Sequence, residues 1–264
     1  LIWGGYAVLQ GEIGVGTLFA FLLLAEAFLA SLSNLVGTYL QIAMAVRQLA
    51  PADALLRLDA LPPRRNVRGG APSGAIEMRD VWFRYAPDGP WVLQDHALKV
   101  EPGQKITLRG PSGSGKSTAL RLLAGLYAPE RGSITIGGRE PSMAATRMLY
   151  LPQFVGLHAG TIMDNLRNLS GNAPMPRILD TAAQTGFDAV VASLLMGYHT
   201  PIPQGGLSLS GGQRQLLALT AALASDCDLL LLDEPMANLD TLLQARMNAL
   251  LAASPATIIS VGHT

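Results

Sequence analysis

Gly110, Pro111, Ser112, Gly113, Ser114, Gly115, Lys116, Ser117 and Thr118 form one uninterrupted run. Its glycines let the backbone approach an anion and turn several N–H groups toward it. Lys116 adds a mobile positive charge, and the Ser117 hydroxyl can ligate a hard cation. The spacing Gly-x-x-x-x-Gly-Lys-Ser is that of a phosphate-cradling P-loop. Such a loop works between a strand and a helix. Residues 105–108 supply a short apolar lead-in, and residues 118–125 supply a helical lead-out whose N-terminus places partial positive charge where phosphates would sit. The chemistry predicted is binding of ATP, with Lys116 on the β- and γ-phosphates and Ser117 on Mg2+.

A second element ends in acid. Residues 228–232 are a near-continuous apolar run, the pattern of a strand buried on both faces of a parallel sheet, and Asp233 and Glu234 follow it. Asp233 at the strand's carboxyl end can bind Mg2+ directly or through water, and Glu234 can polarise an attacking water. Phosphoryl transfer asks mainly for positioning and charge neutralisation, so one carboxylate for each task suffices. Without the P-loop the same pair would read as two solvated acids. The third element is Leu209, Ser210, Gly211, Gly212, Gln213, Arg214 and Gln215, at the start of a long helix over 211–225. Ser210 can cap that helix, and its N–H groups make a second anion cradle. The P-loop already holds one nucleotide. The second cradle therefore either serves the nucleotide of a partner chain or is a capped helix with a glycine-rich start.

The elements that must position these residues follow from patterning. The chain has 264 residues, zero formal net charge and only 14% charged residues, with mean hydropathy +0.30. Nothing in that balance points to nucleic acid. A single cysteine, Cys227, excludes an internal disulfide. The excess hydrophobicity is local: residues 1–46 contain no Lys or Arg, and residues 17–46 are long enough to cross a bilayer. Residues 1–9 read as the tail of another span and 10–14 as the outer turn between the two. Arg47, Arg57, Arg64, Arg65 and Arg68 follow, which places that end in the cytosol by the positive-inside rule. Glu26 lies within the span and should face protein or water. Residues 41–58 continue the helix. Residues 61–74 have the Pro, Gly and Arg content of a linker.

Beyond the linker the pattern predicts strands over 75–85, 97–100, 105–108, 133–136, 148–151, 228–232 and 257–261. It predicts helices over 161–168, 176–185, 187–196, 211–225 and 239–252. Strands alternating with helices give an α/β domain with a mainly parallel sheet.

With the Leu-Ser-Gly-Gly-Gln run lying between a P-loop and a leucine strand that ends in Asp-Glu, residues 75–264 resemble the ATP-binding cassette (ABC) family. Preceded by spans, the chain is similar to ABC exporters with fused membrane and nucleotide-binding domains. The resemblance implies an α/β P-loop ATPase domain with a helical subdomain, behind a transmembrane helical segment. Its domains would be residues 1–60, the end of the membrane domain; 61–74, the linker; and 75–264, the nucleotide-binding domain, truncated after the switch histidine. It also implies that Tyr85 stacks on adenine. Gln153 would meet Mg2+ and, with Phe154, link to the membrane domain. Residues 238–240 would cross a dimer interface, and His263 would sense the γ-phosphate. Glu234, Gln153 and His263 would be catalytic, and Ser117, Gln153 and Asp233 would be metal ligands. Ser210, Gly211, Gly212 and Gln213 would face ATP bound to a second half-transporter chain, a homodimer or heterodimer partner.

Some positions depart from the family pattern. Gln204 stands where exporters of this type carry a glutamate, Pro235, Met236 and Ala237 replace the commoner run after the catalytic glutamate, residues 139–147 look short, and the final helices are expected beyond the last residue. The reading is ATP hydrolysis coupled to export across a bacterial cytoplasmic membrane by a multi-pass protein with its nucleotide-binding domain in the cytosol. The run 196–200 and the Ala-Leu-rich helix after the signature are similar to peptide or bacteriocin exporters. Lipid or drug export, a heterodimer subunit with mainly regulatory ATP binding, and a soluble ABC ATPase of DNA repair or translation are the alternatives.

Overall fold

The computed structural model describes Tyr6 and residues 9–11, 14–56, 74–141, 147–206 and 208–262. The chain divides into two compact units, Leu1–Arg64 and Arg65–Thr264. The expected linker, apart from Gly74, and most of the expected first span lie outside the described residues.

The first unit is dominated by α1 (Val15–Leu56), 42 residues long. Its stretch Val15–Tyr39 is long and apolar enough to cross a bilayer, and none of it is buried. Phe19, Phe21, Leu24, Phe28, Leu35 and Tyr39 all expose most of their side chains. Glu26 is exposed on the same helix.

The second unit runs β1 (Ile76–Phe83), β2 (Leu93–Val100), β3 (Lys105–Leu108), α2 (Lys116–Leu123), β4 (Arg131–Ile136), β5 (Met148–Leu151), β6 (Gly160–Thr161), α3 (Ile162–Leu169), α4 (Met175–Thr185) and α5 (Phe187–Ala192). A 3-10 turn (Gly197–His199), β7 (Pro201–Ile202), α6 (Gly211–Ala224), β8 (Leu229–Asp233), α7 (Thr241–Ala253) and β9 (Thr257–Val261) complete it. The strands β3, β9, β8 and β5 lie in that order in one sheet, and every pairing in it is parallel. β2, β1 and β4 form a separate antiparallel sheet, and β6 pairs with β7.

The central strand β8 of the parallel sheet is buried on both faces, and the twofold alternation of a strand explains how. Leu229 and Leu231 of β8 point into a core shared with Leu120, Leu122 and Leu123 of α2 and with the antiparallel sheet. Leu230 and Leu232 point the other way, against Leu166, Phe187, Leu216, Leu217 and Leu219 from the helices. An unbroken leucine run therefore serves two cores at once.

The structure corrects several sequence-based boundaries. The strand expected over 97–100 begins at Leu93, because β1 offers it a full-length edge to pair with. The helix expected over 187–196 stops at Ala192, where the next amides bond three residues back (Leu194 N to Val191 O) and close the turn. The helix after the P-loop begins at Lys116 rather than 118 and ends at Leu123.

Candidate functional site

The P-loop leaves β3 and enters α2 through Gly115, whose φ of 86° is left-handed. A Cβ at Gly115 would stand 2.5 Å from Leu93 Cδ2 and 2.9 Å from the Val92 carbonyl oxygen. Only glycine meets both demands, so the turn that aims the N-terminus of α2 depends on it. Lys116 Nζ folds back and donates to the carbonyls of Gly110 and Pro111, each at 2.8 Å, and lies 3.4 Å from Ser114 Oγ. Its charge is thus held over the loop by neutral acceptors.

Ser117 and Asp233, placed 116 residues apart in the chain, are bonded: Ser117 Oγ donates to Asp233 Oδ1 at 2.8 Å. Asp233 is only 2% exposed, and the Tyr150 hydroxyl donates to its other oxygen at 3.4 Å. Gln153 Nε2 donates to Glu234 Oε2 at 2.8 Å. Glu234 itself has φ of 50°, a left-handed backbone for a non-glycine residue at the point where the chain leaves β8. A cavity of about 350 Å³ is lined by Val92, Ser112, Gly113, Gly115, Lys116, Ser117, Thr118, Gln153 and Glu234. Most of the residues expected for phosphate, together with Ser117, Gln153 and Glu234, line one opening, and Asp233 joins it through Ser117.

Tyr85 is half-exposed beside it. Its hydroxyl lies 3.0 Å from Thr118 Oγ1 and accepts from Arg121 Nη1 at 2.9 Å. Edge-on contacts to Phe83 and Tyr127 hold the ring. Hydrogen bonds to the Tyr150 and then the Tyr85 hydroxyl hold Arg121 more firmly charged than an ordinary arginine. Burial pushes the Tyr150 hydroxyl pKa up, against the pull of Arg121.

Ser210, Gly211, Gly212 and Gln213 do not line that cavity. They cap α6: Ser210 Oγ accepts from Gln213 N at 3.2 Å, and Gln213 Oε1 accepts from Ser210 N at 2.9 Å. A Cβ on Gly212 would stand 2.6 Å from the Asn238 carbonyl oxygen, so the loop after Glu234 packs directly on this helix start. Gln215 Nε2 donates to the Pro235 carbonyl at 2.9 Å, and Gln244 Nε2 to the Leu239 carbonyl at 2.9 Å. Asp240 caps α7 through Leu243 N. Arg214 Nη1 donates to the carbonyls of Gly206 and Leu209, and Gly205 N to that of Leu157, tying the segment that carries exposed Gln204 to the helix start and to the segment after Gln153. Phe154 is 84% exposed. His263 lies outside the described residues.

Sequence reasoning missed Val92, Arg121, Tyr150 and Gln244. Arg121 alone carried a signal: it stands four residues after Ser117, on the same helical face.

The residues fit the groups expected there. The left-handed Gly115 and Gly113 keep the cradle free of side chains. The serine hydroxyl and aspartate are hard oxygen donors of the kind Mg2+ takes alongside phosphate and water. Among the described residues no cluster of three His, Cys, Asp or Glu forms an all-protein cage.

A doubly faced parallel sheet with a P-loop at the carboxyl end of one strand and an Asp-Glu pair at the end of another defines a P-loop nucleotide-binding domain. Comparison with known proteins narrows this. The ABC transporter family model matches residues 93–237, more than half of the chain, and the chain belongs to that family. It is 31% identical over 253 residues to the toxin RTX-I translocation ATP-binding protein of Actinobacillus pleuropneumoniae, covering 90% of this chain and 35% of that protein. It is 33% identical over 250 residues to the alpha-hemolysin translocation ATP-binding protein HlyB of Escherichia coli O157:H7, with 90% and 35% covered. The chain thus spans about a third of the length of the curated relatives it matches. Among solved structures, a bacterial Atm1-family ABC exporter with ATP bound matches 100% of this chain and 47% of its own, with TM-score 0.71 and 27% identity.

Proposed function

We propose that the chain is the ATP-binding and ATP-hydrolysing part of a bacterial exporter, working as one of two half-transporter chains in the cytoplasmic membrane. The observation that carries this is the convergence of two hydrogen-bonded pairs, Ser117–Asp233 and Gln153–Glu234, at the mouth of the glycine cradle. The first pair suits a metal and the second suits a water.

On this reading the N–H groups of the P-loop and of the α2 N-terminus bind the polyphosphate of ATP. Lys116 exchanges the Gly110 and Pro111 carbonyls for phosphate oxygens. Ser117, Gln153 and Asp233 would hold Mg2+. The ion, when bound, neutralises charge on the β- and γ-phosphates. Gln153 orients Glu234 through the bond already formed, and Glu234 takes the proton of the attacking water. Tyr85 stacks on adenine and His263 senses the γ-phosphate. Ser210, Gly211, Gly212 and Gln213 stand away from this cavity, which supports their serving ATP held by the partner chain. α1 supplies part of the membrane path, in a multi-pass protein. The relatives' names speak of protein toxins, which supports a polypeptide cargo, whether a toxin, a peptide or a bacteriocin.

The test is Glu234→Gln in the full-length protein reconstituted in lipid. Loss of a general base lowers turnover by about 10²- to 10⁴-fold, while ATP binding by equilibrium titration persists. Turnover near wild type removes Glu234 from the chemistry. Loss of ATP binding means the nucleotide site itself is misassigned.

A further inference from the structure

α2 is pinned to the parallel sheet through Ser117, which donates to Asp233 Oδ1. Arg121, four residues on and so on the same face, donates to the Tyr85 hydroxyl at 2.9 Å and stands beside the Tyr150 hydroxyl. Tyr150 sits opposite Leu231 in the β5–β8 register. It therefore shares a face with Asp233, two residues beyond Leu231, and its hydroxyl donates to Asp233 Oδ2 at 3.4 Å. The result is a line of polar groups: Tyr85 hydroxyl, Arg121 guanidinium, Tyr150 hydroxyl, Asp233 carboxylate, Ser117 hydroxyl.

Each member limits the next. A carboxylate with both oxygens engaged cannot rotate freely about its terminal torsion. The Tyr150 hydroxyl has one proton, and it is directed at Asp233, while the positive Arg121 stands on the side of its oxygen. Arg121 has a planar fork that can serve two acceptors at once, which a lysine cannot reproduce. It thereby ties the ring beside the cradle to the carboxylate at the metal position.

We infer that Tyr150 and Arg121 are positioning residues that set the orientation of Asp233 for its metal and tie that orientation to Tyr85. The inference rests on the proposed ATP site. Tyr150 and Arg121 touch neither nucleotide nor metal in this scheme. They act through Asp233 and Tyr85, so their loss shows in metal dependence rather than in phosphate binding.

The experiment uses the full-length protein in lipid, as wild type, Tyr150→Phe and Arg121→Lys. ATP binding is titrated with and without Mg2+, and ATPase is measured against Mg2+ concentration. Tyr150→Phe removes one hydroxyl and keeps the ring. It should leave metal-free ATP affinity within about 2-fold and raise the Mg2+ concentration for half-maximal ATPase about 3- to 10-fold, the scale of one hydrogen bond. Arg121→Lys should move the same readout in the same direction. It should also weaken metal-free ATP binding, because Tyr85 loses its brace. An unshifted Mg2+ dependence in Tyr150→Phe, beside a wild type that binds and hydrolyses ATP, overturns the inference alone. Equal losses with and without Mg2+ in Tyr150→Phe overturn it too, since they mark a structural role. A wild type that binds no ATP overturns the site reading and this inference together.

Discussion

Replacing Ser117 by alanine removes the hydroxyl that donates to Asp233 Oδ1 at 2.8 Å. Asp233 is 2% exposed, so its carboxylate depends on the donors that the fold places beside it. What remains on the carboxylate is a longer bond from Tyr150 at 3.4 Å to the other oxygen. A hydrogen bond to a charged group contributes about 1.5–3 kcal/mol, and a buried acceptor left without it carries its full desolvation cost. At about 2–4 °C per kcal/mol for a unit of this size, Ser117→Ala should lower the melting temperature of the nucleotide-free unit by about 3–12 °C. The loss exists before any nucleotide is added, which sets it apart from a purely catalytic effect. Scanning calorimetry in the absence of ATP measures it. A Ser117→Ala/Asp233→Asn double-mutant cycle should give a coupling of about 0.5–3 kcal/mol. Adding ATP and Mg2+ should widen the gap between wild type and variant, because ligand binding stabilises in proportion to affinity. A melting temperature within 1 °C (about 0.3 kcal/mol) of wild type without nucleotide refutes the reasoning. So does a coupling near zero.

Two other outcomes follow from the geometry. Gly212→Ala puts a Cβ 2.6 Å from the Asn238 carbonyl oxygen, where ordinary contact begins at 3.4 Å, so the loop after Glu234 must give way by about 0.8 Å. Overpacking of this kind costs about 1–3 kcal/mol and should raise amide exchange over residues 235–240; unchanged exchange and stability would show that the contact is slack. Tyr85→Ala should weaken ATP binding about 2- to 12-fold, the scale of one aromatic pair, and Tyr85→Phe should retain most of the affinity; unaltered affinity in Tyr85→Ala removes the ring from the base site.

The parts of the fold legible in sequence were those whose cause is local. The leucine run of β8 announces burial on both faces, and Ser210 announces a helix cap. The P-loop glycines announce a left-handed turn. What sequence could not supply came from partners distant in the chain. β2 begins with Leu93-Gln94-Asp95-His96, a polar stretch of low strand propensity that pairs only because β1 lies alongside. β6 and β7 are two residues each, and nothing marks either one without the other. The apolar Leu194, Leu195 and Met196 invited a longer α5. Yet Leu195 and Met196 are exposed, and the chain turns after Ala192. At the site, the P-loop and Asp-Glu residues expected to act together lie close enough to bond, Ser117 to Asp233. The Tyr150–Asp233 and Gln153–Glu234 bonds depend on β5 and β8 pairing in a single register.

That register gives the leucines of β8 a meaning beyond hydrophobicity. Asp233 shares the parity of Leu229 and Leu231, which face α2, and so its carboxylate arrives where Ser117 waits. Remove one leucine and the carboxylate would emerge on the opposite side of the sheet, among the helices, with no change in composition worth noticing. Exchange one leucine for isoleucine or valine and the aim is unaltered. Deletion of a single residue within 229–232 should therefore abolish ATP turnover where conservative substitutions are absorbed, because the strand works as a spacer whose length in residues, odd or even, decides which way the chemistry points.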